Sequence, residues 1–408
     1  MIEREIKPHL VRLFGQYPFV TVTGPRQAGK TTLCRSAFSS LAYANLEDPQ
    51  VRSYAETDPR GFLGEFPDGA ILDEVHRVPD LLSYLMVLGD ELGRPGLFVL
   101  TGSEQFDLTG AVSQSLAGRT ALLRLLPFSL AECRRAGASD RVEDILYNGC
   151  YPRIHDQGLN PTEALGAYWA TYVERDARRI GRIRNLSEFR DFAGLCAGRI
   201  GQVLNLSSLG GDAGVTHPTV AEWIAVLEAS DIVFRLQPYH TNTRKRLTRS
   251  PKLYFHDVGL AGYLLGINDP DQLIRHPQRG ALFENAAIVE ALKHRHNSGP
   301  IAFLPDYAFY RDRKGFEVDL LYPGADGLAA IEIKSGRTVA SDWFAGPARL
   351  AATLPEVTAQ AIVYGGAERQ HRTAGDIVPL GQFADYLTTL DAPSPATSPD
   401  AEPGGEHI

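Results

Sequence analysis

Apolar positions recur along the chain in two rhythms, and their order predicts the architecture. Ile6, Leu10 and Leu13 fall at helical spacing before a Gly15-Gln16-Tyr17-Pro18 break, and Phe19-Val20-Thr21-Val22-Thr23 then reads as a buried strand. A glycine-containing loop and a second helix follow at once. Further strands are expected near Leu41 to Leu46, over Ala70-Ile71-Leu72 ending in Asp73-Glu74, and over Leu97-Phe98-Val99-Leu100, with helical periodicity across 79–93. Strands alternating with helices predict an α/β fold with a parallel sheet covered on both faces.

After Pro127 the pattern is mostly helical to about 195, with Arg175, Arg178, Arg179, Arg182 and Arg184 crowding one amphipathic stretch beside Glu174 and Asp176, their expected salt-bridge partners. From Gly201 to about Ile267 the order is helix, glycine-rich turn, helix (219–229), an apolar strand Ile232-Val233-Phe234-Arg235-Leu236, a basic loop, and a strand Lys252-Leu253-Tyr254-Phe255. Helix, turn, helix, hairpin is winged-helix order. Beyond Gly280 a helix (281–294) precedes strands near Phe309, over Glu317 to Tyr322 and over Ala329 to Ile333, a second α/β arrangement. The Pro- and Ser-rich end from Ala392 reads as a disordered tail, and no repeat of 20–50 residues is present. The expected units are a core over 1–130, a helical lid or linker over 131–195, a winged helix over 196–267, an α/β domain over 268–388 and a tail over 389–408.

Gly24-Pro25-Arg26-Gln27-Ala28-Gly29-Lys30-Thr31 matches GxxxxGK[ST] at every fixed position, directly after a strand and before a helix containing Thr32. Glycines let backbone N–H groups wrap phosphates and the helix N-terminus adds partial positive charge. Lys30 is then expected to reach the β and γ oxygens, and Thr31 to ligate magnesium. Asp73, at the end of an apolar strand, is the expected metal-side acid and Glu74 the base that polarises water. Ser103, after the strand Leu97–Leu100, stands where a side chain in a parallel sheet senses the γ-phosphate. Arg119 is available to a neighbouring subunit's phosphate, or to a surface salt bridge.

The series GPRQAGKTTL, LEDP, GAILDEVHRVPDLL, LTGS and SLAGRTALLRLLPFSLAE resembles the AAA-type ATPases of bacteria and archaea that carry a nuclease-like C-terminal domain. The resemblance spans about residues 1 to 340 and is most specific in the first 130. It implies an AAA-type P-loop NTPase core with a helical lid, a winged helix and a restriction-endonuclease-like domain, with ATP and Mg2+ as ligands. It also implies Arg119 as an arginine finger in a homo-oligomeric ring such as a hexamer.

A second constellation places Glu284 on a helix, Asp319 on a strand and Glu332-Ile333-Lys334 on the next strand, thirteen residues separating the two strand acids. This resembles the PD-(D/E)XK nuclease core, although no Pro-Asp pair precedes the motif. Glu332 and Lys334 share one strand face. Glu284, Asp319 and Glu332 are then the expected metal ligands, with Lys334 orienting water for phosphodiester attack. An amphipathic edge strand alternates ionisable and apolar residues in the same way.

Composition refines this picture. The chain has 408 residues, 44% apolar and 22% charged, which is ordinary globular composition with length for two or three domains. Its net charge of -8 leaves nucleic-acid contact to a local patch. Arg244, Lys245, Arg246, Arg249 and Lys252 form one at the expected wing, where contact is to phosphates with little sequence specificity, because the preceding helix carries Glu222 and Glu228 and no arginine. Four scattered cysteines, no signal peptide and no long apolar run predict a cytoplasmic protein with no membrane partner. The leading reading is an ATPase acting on DNA. The alternatives are a nucleotide-driven signalling or defence switch whose last domain only binds partners, and a regulated nuclease.

Overall fold

The structure, a computed structural model, describes residues 2–102, 116–180, 183, 185–239, 250–298 and 307–393. The first sheet holds β1 (Phe19–Thr23), β2 (Ala42–Asn45), β3 (Ala70–Asp73), β4 (Phe98–Thr101) and β5 (Thr120–Arg124), in the order β2-β3-β4-β1-β5. Every pairing is parallel. Alternate residues feed two cores: Phe19, Leu72 and Leu100 enter one, while Val20, Val22, Ile71 and Val99 enter the other. A period of two with both faces covered produces the near-continuous apolar runs of the sequence. Strand β5 is an addition to the four expected strands; its apolar residues run on into Leu125 and Leu126, which hides its end.

Local chemistry sets the helix starts. Asp48 accepts from the amides of Gln50 and Val51 ahead of helix Pro49–Thr57. Ser129 and Glu132 form a reciprocal capping box at helix Leu130–Arg135.

A single hydrophobic core runs from Leu126 to Leu387 through the segments expected as lid, winged helix and C-terminal domain. Helices Leu206–Ala213 and His217–Ala229 and the antiparallel pair β6 (Val233–Leu236) and β7 (Lys252–Phe255) occur in the expected order. All four residues of β7 are buried. Asn285, on helix Arg279–Ser298, accepts from the Phe255 amide and donates to its carbonyl, so the hairpin base is locked into the core. The final sheet comprises β8 (Ala308–Arg311), β9 (Glu317–Gly324), β10 (Gly327–Lys334), β11 (Val357–Tyr364), β12 (Gln370–Arg372) and β13 (Gly375–Pro379), in the order β12-β13-β11-β10-β9-β8. Helix Phe383–Asp391 closes the described chain, and the expected tail beyond 393 lies outside the described residues. Among the described residues no helix is long and apolar enough to cross a membrane.

Candidate functional site

The carboxyl end of β1 delivers the chain to Gly24, whose φ is +134° and where a Cβ would stand 2.0 Å from the Leu125 carbonyl oxygen. Only glycine lets the loop turn against the residue following β5. Gly29, at φ +91°, is the left-handed N-cap of helix Lys30–Ala37. The loop therefore wraps a helix N-terminus, where backbone amides and the helix dipole favour an anion. Lys30 is buried and donates to the carbonyls of Gly24 (2.8 Å) and Pro25 (2.9 Å). Burial holds its pKa below the ordinary lysine value, opposed by the charges of Glu74, Asp231 and Asp73. Arg26 lies 3.5 Å from Asp176 and over the ring of Tyr172, and Thr32 is exposed on the first helical turn.

Asp73 is 5% exposed at the end of β3. Its Oδ2 accepts from Thr31 Oγ1 (2.9 Å) and Tyr43 OH (2.8 Å), and its Oδ1 accepts from Thr101 Oγ1. Three hydroxyls thus donate to this one carboxylate. Glu74 follows at φ +56°; its amide donates to Thr101 Oγ1 (3.2 Å) and its carboxylate lies 3.1 Å from His76 Nδ1. Thr101 links both acids, a role that sequence reasoning missed beside the more obvious Ser103, which lies outside the described residues.

Arg4 was also missed. It is 7% exposed and donates to the carbonyls of Ala28 and Leu126 (both 2.7 Å) and to Glu132 (3.0 Å), bracing the loop from behind. Nothing local in the sequence marks it, because its partners lie 24 to 128 residues away. Arg119 precedes β5 at the opposite end of the sheet from the loop and forms a bidentate pair with Asp90 (2.6 and 2.8 Å).

The second constellation is brought together. Asp319 on β9 accepts from the Ile333 amide (2.9 Å), Lys334 donates to Glu332 (2.6 Å) along β10, and Glu284 faces them from helix Arg279–Ser298. Burial and the neighbouring Asp319 push Glu284 and Glu332 up to about 7. Glu317, Tyr254 and Lys252 join the set, none of them expected there. Lys252 corrects the expected basic patch: it is 1% exposed and points at Glu284 and Glu317, because β7 runs into the core. Arg244, Lys245, Arg246 and Arg249 lie outside the described residues, as do Arg182 and Arg184. Glu284, Asp319 and Glu332, the expected metal set, lie in this cluster, and among the described residues no three Asp, Glu, His or Cys side chains are placed to hold a metal ion in this arrangement.

Residues 16–134 match the family model of an AAA domain, while 139–271 and 279–383 match two domains of unknown function, DUF8612 and DUF4143. Over 368 residues the chain is 31% identical to the uncharacterized protein Rv2008c of Mycobacterium tuberculosis and to Mb2031c of Mycobacterium bovis, covering 90% of this chain and 80% of each relative. Among solved structures, the Walker-type ATPase PABY2304 of Pyrococcus abyssi is 15% identical with a TM-score of 0.44, covering 65% of this chain and 96% of that one. The parallel sheet, the loop after β1, Asp73 at the end of β3 and the AAA domain match make the N-terminal region a P-loop NTPase α/β fold, followed by a sheet-rich C-terminal domain. The chain belongs to the family of Rv2008c and Mb2031c.

Proposed function

We propose that the chain is a magnesium-dependent ATP hydrolase of AAA type that works as a ring of like subunits and acts on DNA. The observation that carries this reading is the Gly24–Thr31 loop with Lys30, Thr31 and Asp73 gathered at the carboxyl ends of β1 and β3. Triphosphate oxygens seated on the loop take Lys30 from its two carbonyl acceptors, exchanging neutral partners for anionic ones. The donor set fits magnesium, since a hydroxyl and a carboxylate 2.9 Å apart are hard oxygen ligands. When bound, that ion neutralises charge on the β and γ oxygens. Glu74, whose carboxylate lies 3.1 Å from His76 Nδ1, is the base that polarises the attacking water. Ser103 is the γ-phosphate sensor.

Arg119 serves the neighbouring subunit. It lies one strand length, about 16 Å, from the loop on its own chain, and its exposed pair with Asp90 leaves it free to exchange partners. DNA is proposed on the run Arg244, Lys245, Arg246 and Arg249, which recognises phosphates rather than bases. Glu284, Asp319, Glu332 and Lys334 form the nuclease-like set.

The second reading is a nucleotide-driven switch whose C-terminal domain binds partners without cleaving. The ammonium of Lys252 among the carboxylates favours it.

The test is ATP hydrolysis by the wild type and Lys30→Ala, with and without single-stranded, double-stranded and branched DNA at low and high salt. Lys30→Ala is expected to lose at least about 100-fold. Full hydrolysis by that variant overturns the ATPase reading. Salt-sensitive stimulation supports DNA as effector, and a slow, DNA-indifferent rate supports the switch.

A further inference from the structure

The acid cluster of the C-terminal sheet contains a cation of the protein's own. Lys252 Nζ lies 2.6 Å from Glu317 Oε1, 3.1 Å from Glu284 Oε1 and 4.0 Å from Asp319 Oδ1, with its side chain 1% exposed. The ring of Phe309, 5.3 Å away, covers it further. Tyr254, two residues on and so on the same strand face, donates to the same Glu284 oxygen at 2.5 Å. Carboxylate oxygens from a helix and a strand thus surround one positive centre, as they would a hard divalent ion, at the longer distances of an ammonium.

Charge balance points the same way. Glu284, Glu317, Asp319 and Glu332 contribute four negative charges when ionised. Lys252, Lys334 (2.6 Å from Glu332) and Arg311 (2.9 Å from Glu317) contribute three positive ones. The cluster is then one charge short of neutral, and a divalent ion added beside the seated lysine would overshoot it in a buried place. Buried charge is tolerated only when it is paired. Glu332 Oε2 is nevertheless buried with no hydrogen-bond partner, an acceptor left over beside the filled centre.

Lys252 also comes from outside the sheet it neutralises. Its strand β7 forms a two-stranded sheet with β6, Lys252 also bridging to Val203, and Arg124, the last residue of β5, donates to Asp231 just before β6 and contacts His256 just after β7 at 3.1 Å. The hairpin is therefore held at one end against the nucleotide-binding region and delivers Lys252 to the acid cluster at the other.

We infer that Lys252 is an intrachain stand-in for a divalent cation: while it is seated, the cluster of Glu284, Asp319 and Glu332 is closed to metal, and withdrawing its ammonium opens a magnesium- or manganese-class site. This rests on the nuclease-like reading of the cluster and states how that cluster is held off.

The test is a Mn2+ titration of the full-length, nucleotide-free protein, read by electron paramagnetic resonance of free Mn2+ and by thermal unfolding. Lys252→Met should bind one Mn2+ per chain at least tenfold more tightly than the wild type, and Lys252→Met/Glu332→Gln should lose the gain. Should Lys252→Met not fold without metal, Lys252→Met/Glu317→Gln removes one charge of each sign and should show the same gain. A Tm that rises with Mn2+ in these variants but not in the wild type supports the inference. Equal Mn2+ affinity in wild type and variants, or a gain that survives Glu332→Gln, overturns it. DNA cleavage is assayed in parallel: tighter Mn2+ binding without cleavage keeps the stand-in role and sinks only the nuclease reading.

Discussion

Two of the buried lysines, Lys30 and Lys252, sit beside carboxylates, and their partners differ. Lys30 donates to two neutral carbonyls, while nearby Asp73 is satisfied by the hydroxyls of Thr31, Tyr43 and Thr101. Lys252 instead meets Glu284 and Glu317 charge to charge. A hydrogen bond from an ammonium to a neutral carbonyl contributes about 2 kcal/mol and can be exchanged for one to an anionic phosphate oxygen. Withdrawing Lys252 would leave buried carboxylates uncompensated. The same residue types thus make one site ready for a ligand and one already filled, and the ammonium's present partner tells them apart.

The largest test of that contrast concerns the nucleotide region as an assembly. Arg119→Ala should lower ATP hydrolysis by about 10^3-fold, the scale of an arginine finger, while nucleotide affinity on its own chain changes little. Mixing Arg119→Ala with Lys30→Ala subunits should recover activity, because some interfaces then pair an intact loop with an intact arginine. No recovery on mixing would leave Arg119 as a surface partner of Asp90 only. Next in size, Lys252→Met without divalent metal should lose about 3–5 kcal/mol of stability by denaturant unfolding, whereas Lys30→Met, which leaves only neutral carbonyls behind, should lose about 2 kcal/mol. Equal losses would erase the distinction between neutral and charged partners.

The two regions were also unequally legible in the sequence. The loop is a local structure: two glycines, a lysine and a threonine within eight residues, flanked by a strand and a helix, report backbone conformation directly. The cluster is assembled from residues 252 to 334, and the strand-face rule placed Glu332 beside Lys334 but said nothing of what arrives from β7. Lys252 reads as the end of a basic run because charge patterning ignores where a strand begins; its place as the first residue of a wholly buried strand decides its role. Strand β5 escaped for a related reason, its apolar residues merging with those that follow. Arg4 escaped because a brace with partners up to 128 residues away has no local signature. Arg4→Met should lose about 2 kcal/mol, the worth of charged hydrogen bonds to Glu132 and two carbonyls. It should also weaken binding of a fluorescent ATP analogue, a result that a purely structural brace remote from the loop would not give.

The smallest expected effect is a pair of opposite pH slopes. Glu332 titrates near 7 in the folded chain, held up first by burial and then by Asp319, against about 4.3 for an unperturbed glutamate. The folded state keeps its proton to higher pH than the unfolded state, so this group's contribution is fully present below about pH 4.3 and is lost as pH rises through 7, at up to about 1.4 kcal/mol per unit. Lys30 is shifted the other way, below the ordinary lysine range, first by burial. Its folded form releases the proton earlier, so its contribution grows as pH rises from its folded value toward the ordinary one. Denaturant unfolding of wild type, Glu332→Gln and Lys30→Met across pH 4.5 to 10 separates the two. Glu332→Gln should make the fall between 4.5 and 7 shallower, leaving the share of Glu284, and Lys30→Met should flatten the alkaline rise. If either variant flattened the other's window, the two lysine centres would be coupled in the resting chain, and the contrast between a ready site and a filled one would have to be redrawn as a single linked network.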